Sequence, residues 1–355
     1  MSKNNTSLLE NHTMHVGLDD GHNGIKIYAG KDVLTNKPIQ FKMQSRGVVG
    51  YASMGDPNKT EQEVILVNGE AYTISENLAS YENTRNEEYA TSKLSKALVY
   101  QALRLANLNC KNLKITSGLP VNRFYGGLNR SMNQELINQK KNNLLDMGDV
   151  YNLYDHKKGI EPIRIIDHKV LCEANAAFID IIMDDDGNDT EIALDLELIE
   201  YGAGIIDIGG RTTDCVVVNP NGDTLNAARS GTKDIGILSL KDELSHEMKV
   251  KYNLNHINEA ALTKAMVTGI YGTGLNKRDI SELLEQHKEN LFNSISGFLD
   301  TTIGDGSDLP AIILVGGGGY LLKDHIEAKY PNVIIPEDME FANARGFYKI
   351  YKYIL

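Results

Sequence analysis

The sequence predicts an α/β protein of two domains, each a mixed sheet flanked by helices. Three glycine-bearing turns predict it. An acidic turn between apolar strands, Asp19-Asp20-Gly21-His22-Asn23-Gly24, has a counterpart half a chain later in Asp207-Ile208-Gly209-Gly210-Arg211-Thr212-Thr213-Asp214. A third cluster, Gly316–Gly319, follows the apolar run Ile312–Val315 and precedes a helical segment.

The first element is HVGLDDGHNGIKIYAG, residues 15–30, which reads as two strands joined by a turn because Ile25, Ile27 and Ala29 alternate. Residues 42–90 are polar with short apolar runs and suit a small inserted subdomain. Residues 91–108 carry Leu94, Leu98, Leu105 and Leu108 in a helical stripe. A strand over 113–116 comes next, and the Asn-, Gln- and Lys-rich stretch 129–159 suits an exposed helix with loops. A strand over 163–170 leads into a helix from Glu173, and the acidic run 184–189 suits a solvated loop. The expected domains are 14–172 with a returning C-terminal helix over 341–355, and 173–340 with an insert over 233–299. Residues 1–13 are expected to form a flexible tail.

Composition sets limits on function. The 355 residues suffice for two domains with a substantial core. A charged fraction of 24% with 41% hydrophobic residues is that of a folded soluble chain. The net charge of −12 opposes a direct grip on nucleic acid, which needs a basic face. No run of 18 apolar residues offers a membrane span, and the polar N-terminus lacks the apolar core of a secretory leader. Cys110, Cys172 and Cys215 are too scattered for a disulfide framework or zinc site. They suit core positions in a reducing, cytoplasmic setting.

The element after each acidic turn discriminates between nucleotide folds. In dinucleotide-binding and Walker loops the glycines open a helix. Here they open strands, Gly24–Tyr28 and Cys215–Val218, and no GxxxxGK[ST] pattern is present. In both hairpins a carboxylate ends a buried strand and glycines let backbone N–H groups approach an anion. Two such hairpins on similar half-chains can close on one triphosphate.

These motifs resemble those of the actin/Hsp70/sugar-kinase superfamily, whose members carry two phosphate loops and an adenosine loop in this order. The paired Asp19-Asp20-Gly21, the segment Ser117–Asn122 and the length are most similar to bacterial plasmid-segregation actins of the ParM type. The resemblance implies a duplicated, ribonuclease H-like fold with a nucleotide cleft between its domains. It implies an ATPase that binds ATP or GTP with Mg²⁺, held through water by Asp19 and Asp207. Lys26 is expected at the β/γ-phosphates, and Glu173 is expected to orient the attacking water. Catalysis would thus rest on Asp19, Asp207 and Glu173. Asp20, Gly21, Asn23, Gly24, Gly209, Gly210, Thr212 and Thr213 are expected around the phosphates. Gly236, Lys241, Gly316, Gly317 and Gly318 are expected along ribose and base. His22 and Arg211 depart from the usual residues, and Asp214 is expected to tie down its own loop.

The implied partners are other copies of the chain, in a homopolymeric filament, and a DNA-binding adaptor on a plasmid or other mobile element. A sugar-type kinase on the same fold is the main alternative, although no further carboxylate suggests a base for it. A cell-shape or division actin is another; the amphipathic terminus GFYKIYKYIL is expected to pack back on the first domain instead of reaching a membrane.

Overall fold

The computed structural model describes residues 13–52, 57–78, 80–109, 112–222 and 224–355. The expected N-terminal tail, apart from Thr13, and Cys110 lie outside these. The chain divides into two compact units, the first running to Thr190 and completed by Phe341–Leu355, the second spanning Glu191–Glu340.

In the first unit β1 (Thr13–Asp20), β2 (Gly24–Lys31) and β3 (Pro38–Gln44) form a meander. The small strands β4 (Gly47–Val49), β5 (Val64–Val67) and β6 (Glu70–Ile74) come after it, with α1 (Pro57–Glu63) between β4 and β5. Next are α2 (Lys93–Leu105), β7 (Asn112–Leu119), α3 (Val121–Phe124), α4 (Gln134–Leu145), β8 (Val150–Asn152) and α5 (Leu153–Lys157). β9 (Arg164–Cys172) runs directly into α6 (Glu173–Ile182). The main sheet has the order β3-β2-β1-β7-β9, its first two pairings antiparallel and its last two parallel. Central β1 places Val16 and Leu18 fully out of water. α2 starts where the Ser92 side chain accepts the Ser95 N–H at 3.1 Å, satisfying an orphan first-turn donor.

The second unit holds α7 (Glu191–Asp195), α8 (Leu198–Tyr201), β10 (Ala203–Ile208), β11 (Thr213–Val218) and β12 (Leu225–Lys233). It continues with α9 (Ile237–Lys251), α10 (Glu259–Thr268), β13 (Ile270–Tyr271), β14 (Arg278–Asp279) and α11 (Ser281–Thr302). It closes with β15 (Ile312–Val315), α12 (Gly319–Lys329) and β16 (Val333–Ile334). Its sheet, β12-β11-β10-β15-β16, repeats the first unit's pattern of two antiparallel then two parallel pairings. Every residue of β10 and β11 is buried, as strands covered on both faces should be.

The structure differs from several expectations. The small sheet, β4-β6-β5-β8, begins at Gly47, and its fourth strand comes from residues 150–152. The Asn152 amide fixes that strand by donating to the carbonyls of Gln62 at 2.9 Å and Val64 at 3.1 Å. Residues 233–299 share one apolar core with the sheet, because Leu240, Leu262 and Ile295 cluster with Ile206 and Ile208. The units divide after Thr190 and not at 172/173, since α6 packs on the returning helix α13 (Ala342–Lys349). There Gly346 lies so close to α6 that a Cβ would come within 1.8 Å of the Ala176 carbonyl oxygen. The acidic run is not merely solvated: Asp185 accepts from the Tyr28 hydroxyl and Lys31 Nζ, both at 2.8 Å. Cys172 and Cys215 are buried, as expected.

Candidate functional site

In the first unit, Asp20 pairs with Ile25 across the β1–β2 hairpin, so Gly21 to Gly24 reverse the chain. Asp19 faces Lys26 across the ladder, and Lys26 Nζ donates to Asp19 Oδ2 at 2.8 Å. Successive strand side chains point to opposite faces. Asp20 therefore turns away from Asp19 and accepts at Oδ1 from Lys140 Nζ of α4 at 2.7 Å. The same ammonium donates to the Gly118 carbonyl at the end of β7, at 2.6 Å. The Lys140 and Asp20 side chains are only 4% and 5% exposed. This corrects the expectation for Asp20, whose carboxylate holds the hairpin to α4 and β7.

The turn's carbonyls are already engaged. Ser45 Oγ donates to Gly21 O at 2.7 Å, and Thr84 Oγ1 donates to His22 O at 2.8 Å. His22 Nδ1 in turn pairs with Thr84 O at 2.6 Å, which gives that departure from the usual residue a positioning role. Among the described residues all peptides are trans, and in a trans peptide the C=O and the next N–H point opposite ways. The His22 and Asn23 N–H groups thus face away from Ser45 and Thr84, the orientation an anion requires. Gly24 belongs to β2, paired with Gln44, and a Cβ there would come within 3.0 Å of Met43 O.

The second unit repeats the geometry. Ile208 pairs with Thr213, leaving Gly209 to Thr212 to reverse the chain, with Asp207 one residue before the last pair, as Asp19 is. The first turn of α9 donates Ile237 N–H to Gly209 O at 3.1 Å and Leu238 N–H to Gly210 O at 2.9 Å. By the same peptide geometry, the Gly210 and Arg211 N–H groups face away from α9. Gly209 N–H is used inside the turn, on Thr212 O at 2.9 Å, and drops out of the expected cradle.

Gly236 permits the docking of α9, because a Cβ there would lie 2.6 Å from Gly210 O. Thr213 also differs from expectation: it is buried, and its hydroxyl donates to Ile235 O at 2.8 Å. Asp214 accepts from the Thr232 hydroxyl and, at 3.4 Å, from Thr212 Oγ1, as a carboxylate securing its own loop should. Arg211 forks onto Asp234, at 2.7 and 3.2 Å. Lys241, expected along ribose and base, is buried and pairs with Glu259 of α10 at 2.6 Å.

The third glycine cluster stands against this hairpin. β15 runs parallel to β10 with Val315 beside Asp207, and the Gly318 N–H donates to Ile208 O at 2.8 Å. Gly316 has φ +85°, and a Cβ on it would lie 2.2 Å from Asp207 Oδ1. Gly317, next along, is exposed.

Comparison with known proteins bears on these repeated hairpins. Residues 17–153 match the family model for the N-terminal domain of actin-like proteins, and residues 205–328 match that for the C-terminal part of the archaeal MreB-like actin homologue. An archaeal actin homologue solved in complex with ADP aligns with TM-score 0.70 and 21% identity over 96% of this chain and 99% of its own. A 15-stranded ParM filament from Clostridium botulinum aligns with TM-score 0.70 and 20% identity over the same shares, 96% and 99%. The fold is actin-like. No curated protein sequence matches it. The resemblance to ParM-type actins read from the motifs agrees with these matches.

Within the actin-like fold, Glu173 is the first residue of α6, where the helix dipole favours a carboxylate. Its stem lies on the end of β7, since a Cβ on Gly118 would come within 2.6 Å of Glu173 Cγ. Gly118 thus backs Glu173 while its carbonyl receives Lys140, joining Asp20, Lys140, Gly118 and Glu173 in one cluster. Behind it, buried His168 pairs at Nε2 with Ser117 Oγ at 2.8 Å and at Nδ1 with Lys141 O at 3.1 Å. Burial lowers its pKa to about 3, so the ring is neutral.

Sequence reasoning missed Lys140, Ser45, Thr84 and His168. For Lys140 a signal existed: Ile137, Lys140 and Leu144 share the buried stripe of α4, with a lysine in an apolar slot.

Each unit by itself offers a carboxylate of the kind Mg²⁺ takes. Asp19 Oδ1 would be crowded by a Cβ on Gly21 at 3.2 Å, just as Asp207 Oδ1 would be by one on Gly316. In each unit a glycine thus leaves room beside one carboxylate oxygen, the hard donor type that Mg²⁺ takes. Among the described residues no group of three or more acidic, His or Cys side chains could enclose a metal.

Proposed function

We propose that this chain is a nucleotide-driven, filament-forming ATPase that moves copies of a plasmid or other mobile DNA apart in the cytoplasm. The observation that carries the reading is the repeated hairpin, with Asp19 and Asp207 at equivalent register positions one residue before each hairpin's last pair. Binding requires both hairpins. Asp19 and Asp207 would hold Mg²⁺ through its waters, and the bound ion supplies positive charge to the β- and γ-phosphates. The N–H groups of His22, Asn23, Gly210 and Arg211 cradle phosphate oxygens, with the Thr212 hydroxyl beside them. Lys26, paired with Asp19, brings a point charge to the same phosphates. Gly317 and Gly318 give the adenosine a flat backbone surface.

Glu173 orients the attacking water, a step that needs placement more than basicity. ATP favours assembly and hydrolysis loosens it. The ADP complex of the archaeal homologue and the filament state of ParM support nucleotide binding and self-association here. The acidic chain leaves DNA contact to a small DNA-binding adaptor at the filament end.

Light scattering and pelleting of the protein with Mg-ATP test this reading. Assembly on ATP addition, decaying as phosphate is released, is expected. A chain that stays monomeric with ATP and phosphorylates a sugar would contradict it.

A further inference from the structure

We propose that Ser117 and His168, buried where α4 meets β7 and β9, are positioning residues that fix Glu173 for hydrolysis. The inference rests on the reading above that Glu173 orients the attacking water, and it names the groups that hold Glu173 in place.

The tautomer of His168 is fixed by its partners. A neutral imidazole carries one N–H and one acceptor nitrogen. The ring is neutral, since burial lowers its pKa to about 3. Its Nδ1 lies 3.1 Å from the Lys141 carbonyl, which can only accept, so Nδ1 bears the proton. Nε2 is then the acceptor, and the Ser117 hydroxyl donates to it at 2.8 Å. A serine hydroxyl on a histidine is also the arrangement that activates a nucleophile. Here both side chains are fully buried, so no substrate reaches them and the pair serves position.

What the pair holds is the end of β7. Ser117 stands beside Val170 and Gly118 beside Leu171 in the parallel β7–β9 ladder, and β9 runs on through Cys172 into Glu173. His168 lies two residues before Val170, which puts its side chain on the face that Val170 shares with Ser117. Their bond ties the strand carrying Gly118 to the strand that leads into Glu173. Through the Lys141 carbonyl the same ring also seats α4. The adjacent Lys140 then donates to Gly118 O at 2.6 Å and to Asp20 at 2.7 Å. Gly118 is the surface on which the Glu173 stem rests. A Cβ there would come within 2.6 Å of Glu173 Cγ and 2.4 Å of Phe347 Cζ. With so little room, a shift of β7 moves Glu173. Placement of an attacking group is sensitive at that scale, an error of about 1 Å costing about a hundredfold in rate. Removing the Ser117 hydroxyl leaves Nε2 without its donor in a site closed to bulk water.

The test measures phosphate release at saturating Mg-ATP and nucleotide affinity by calorimetry on full-length Ser117→Ala and His168→Asn. Asparagine keeps an N–H donor and removes the distal acceptor. Each variant is expected to bind Mg-ATP like the parent and to release phosphate about tenfold more slowly. The deciding measurement repeats both changes in the Glu173→Ala background under single-turnover conditions. A pair acting through Glu173 has nothing left to position there, so no further slowing is expected. Equal slowing in both backgrounds, or parental release in either single variant, would overturn the proposal. Should Ser117→Ala fail to fold, Ser117→Cys, with a weak donor of similar size, carries the same comparison. A Glu173→Ala protein that releases phosphate like the parent would instead sink the assignment of Glu173 itself.

Discussion

Asp19 and Asp20 are adjacent, carry the same charge, and do different work because a strand turns successive side chains to opposite faces. Asp19 faces Lys26, whereas Asp20 is sealed against Lys140. Removing the ammonium would leave a buried carboxylate unpaired, so Lys140→Met should lower the unfolding free energy by about 3–5 kcal/mol. An unchanged urea midpoint would contradict that role. Glu173→Ala, by contrast, should leave nucleotide affinity intact and slow phosphate release by about a hundredfold or more. Unaltered release in a coupled assay would remove the assignment.

His168 makes a pH prediction. Its folded pKa, about 3, lies below the usual 6.5, so between those values the unfolded chain binds a proton that the folded chain refuses. The stability it contributes is complete above pH 6.5 and drains away as pH falls toward 3. Moving from pH 7 to pH 5 should therefore cost the parent about 2 kcal/mol more than His168→Gln, measured by urea unfolding at each pH. Equal losses would show that the ring titrates freely.

The C-terminal helix shows what pattern reading can and cannot supply. Its amphipathic face was legible in GFYKIYKYIL, and the expectation that it packs back onto the first unit matches the buried Phe347, Ala344 and Tyr348. Its ionic anchor was not legible, because Asp180 and its partners are far apart in sequence. Asp180 receives Arg345 at 2.6 Å and Lys349 at 2.7 Å, all on side chains 16% exposed or less. Asp180→Ala strands two cations at that site and should cost about 3–5 kcal/mol; no shift in thermal midpoint would argue against the clamp. Likewise, alternation and glycines disclosed both hairpins, since these are local signals. β8, only three residues long, owes its place to Asn152 bonding carbonyls some ninety positions earlier, which no local pattern encodes. The helices over 237–302 looked separable in sequence because their apolar stripes do not say which sheet they cover.

Over the whole molecule, the two units carry the same sheet order and place an aspartate at the same step before the same four-residue turn. Such duplication explains why half a chain separates the two motifs.

Calorimetric titration of Mg-ATP into the parent, Asp19→Ala and Asp207→Ala proteins tests most directly whether both hairpins serve one nucleotide. One nucleotide per chain is expected, with affinity falling by about tenfold to a hundredfold in either variant. Two independent binding events, or parental affinity in either variant, would contradict it.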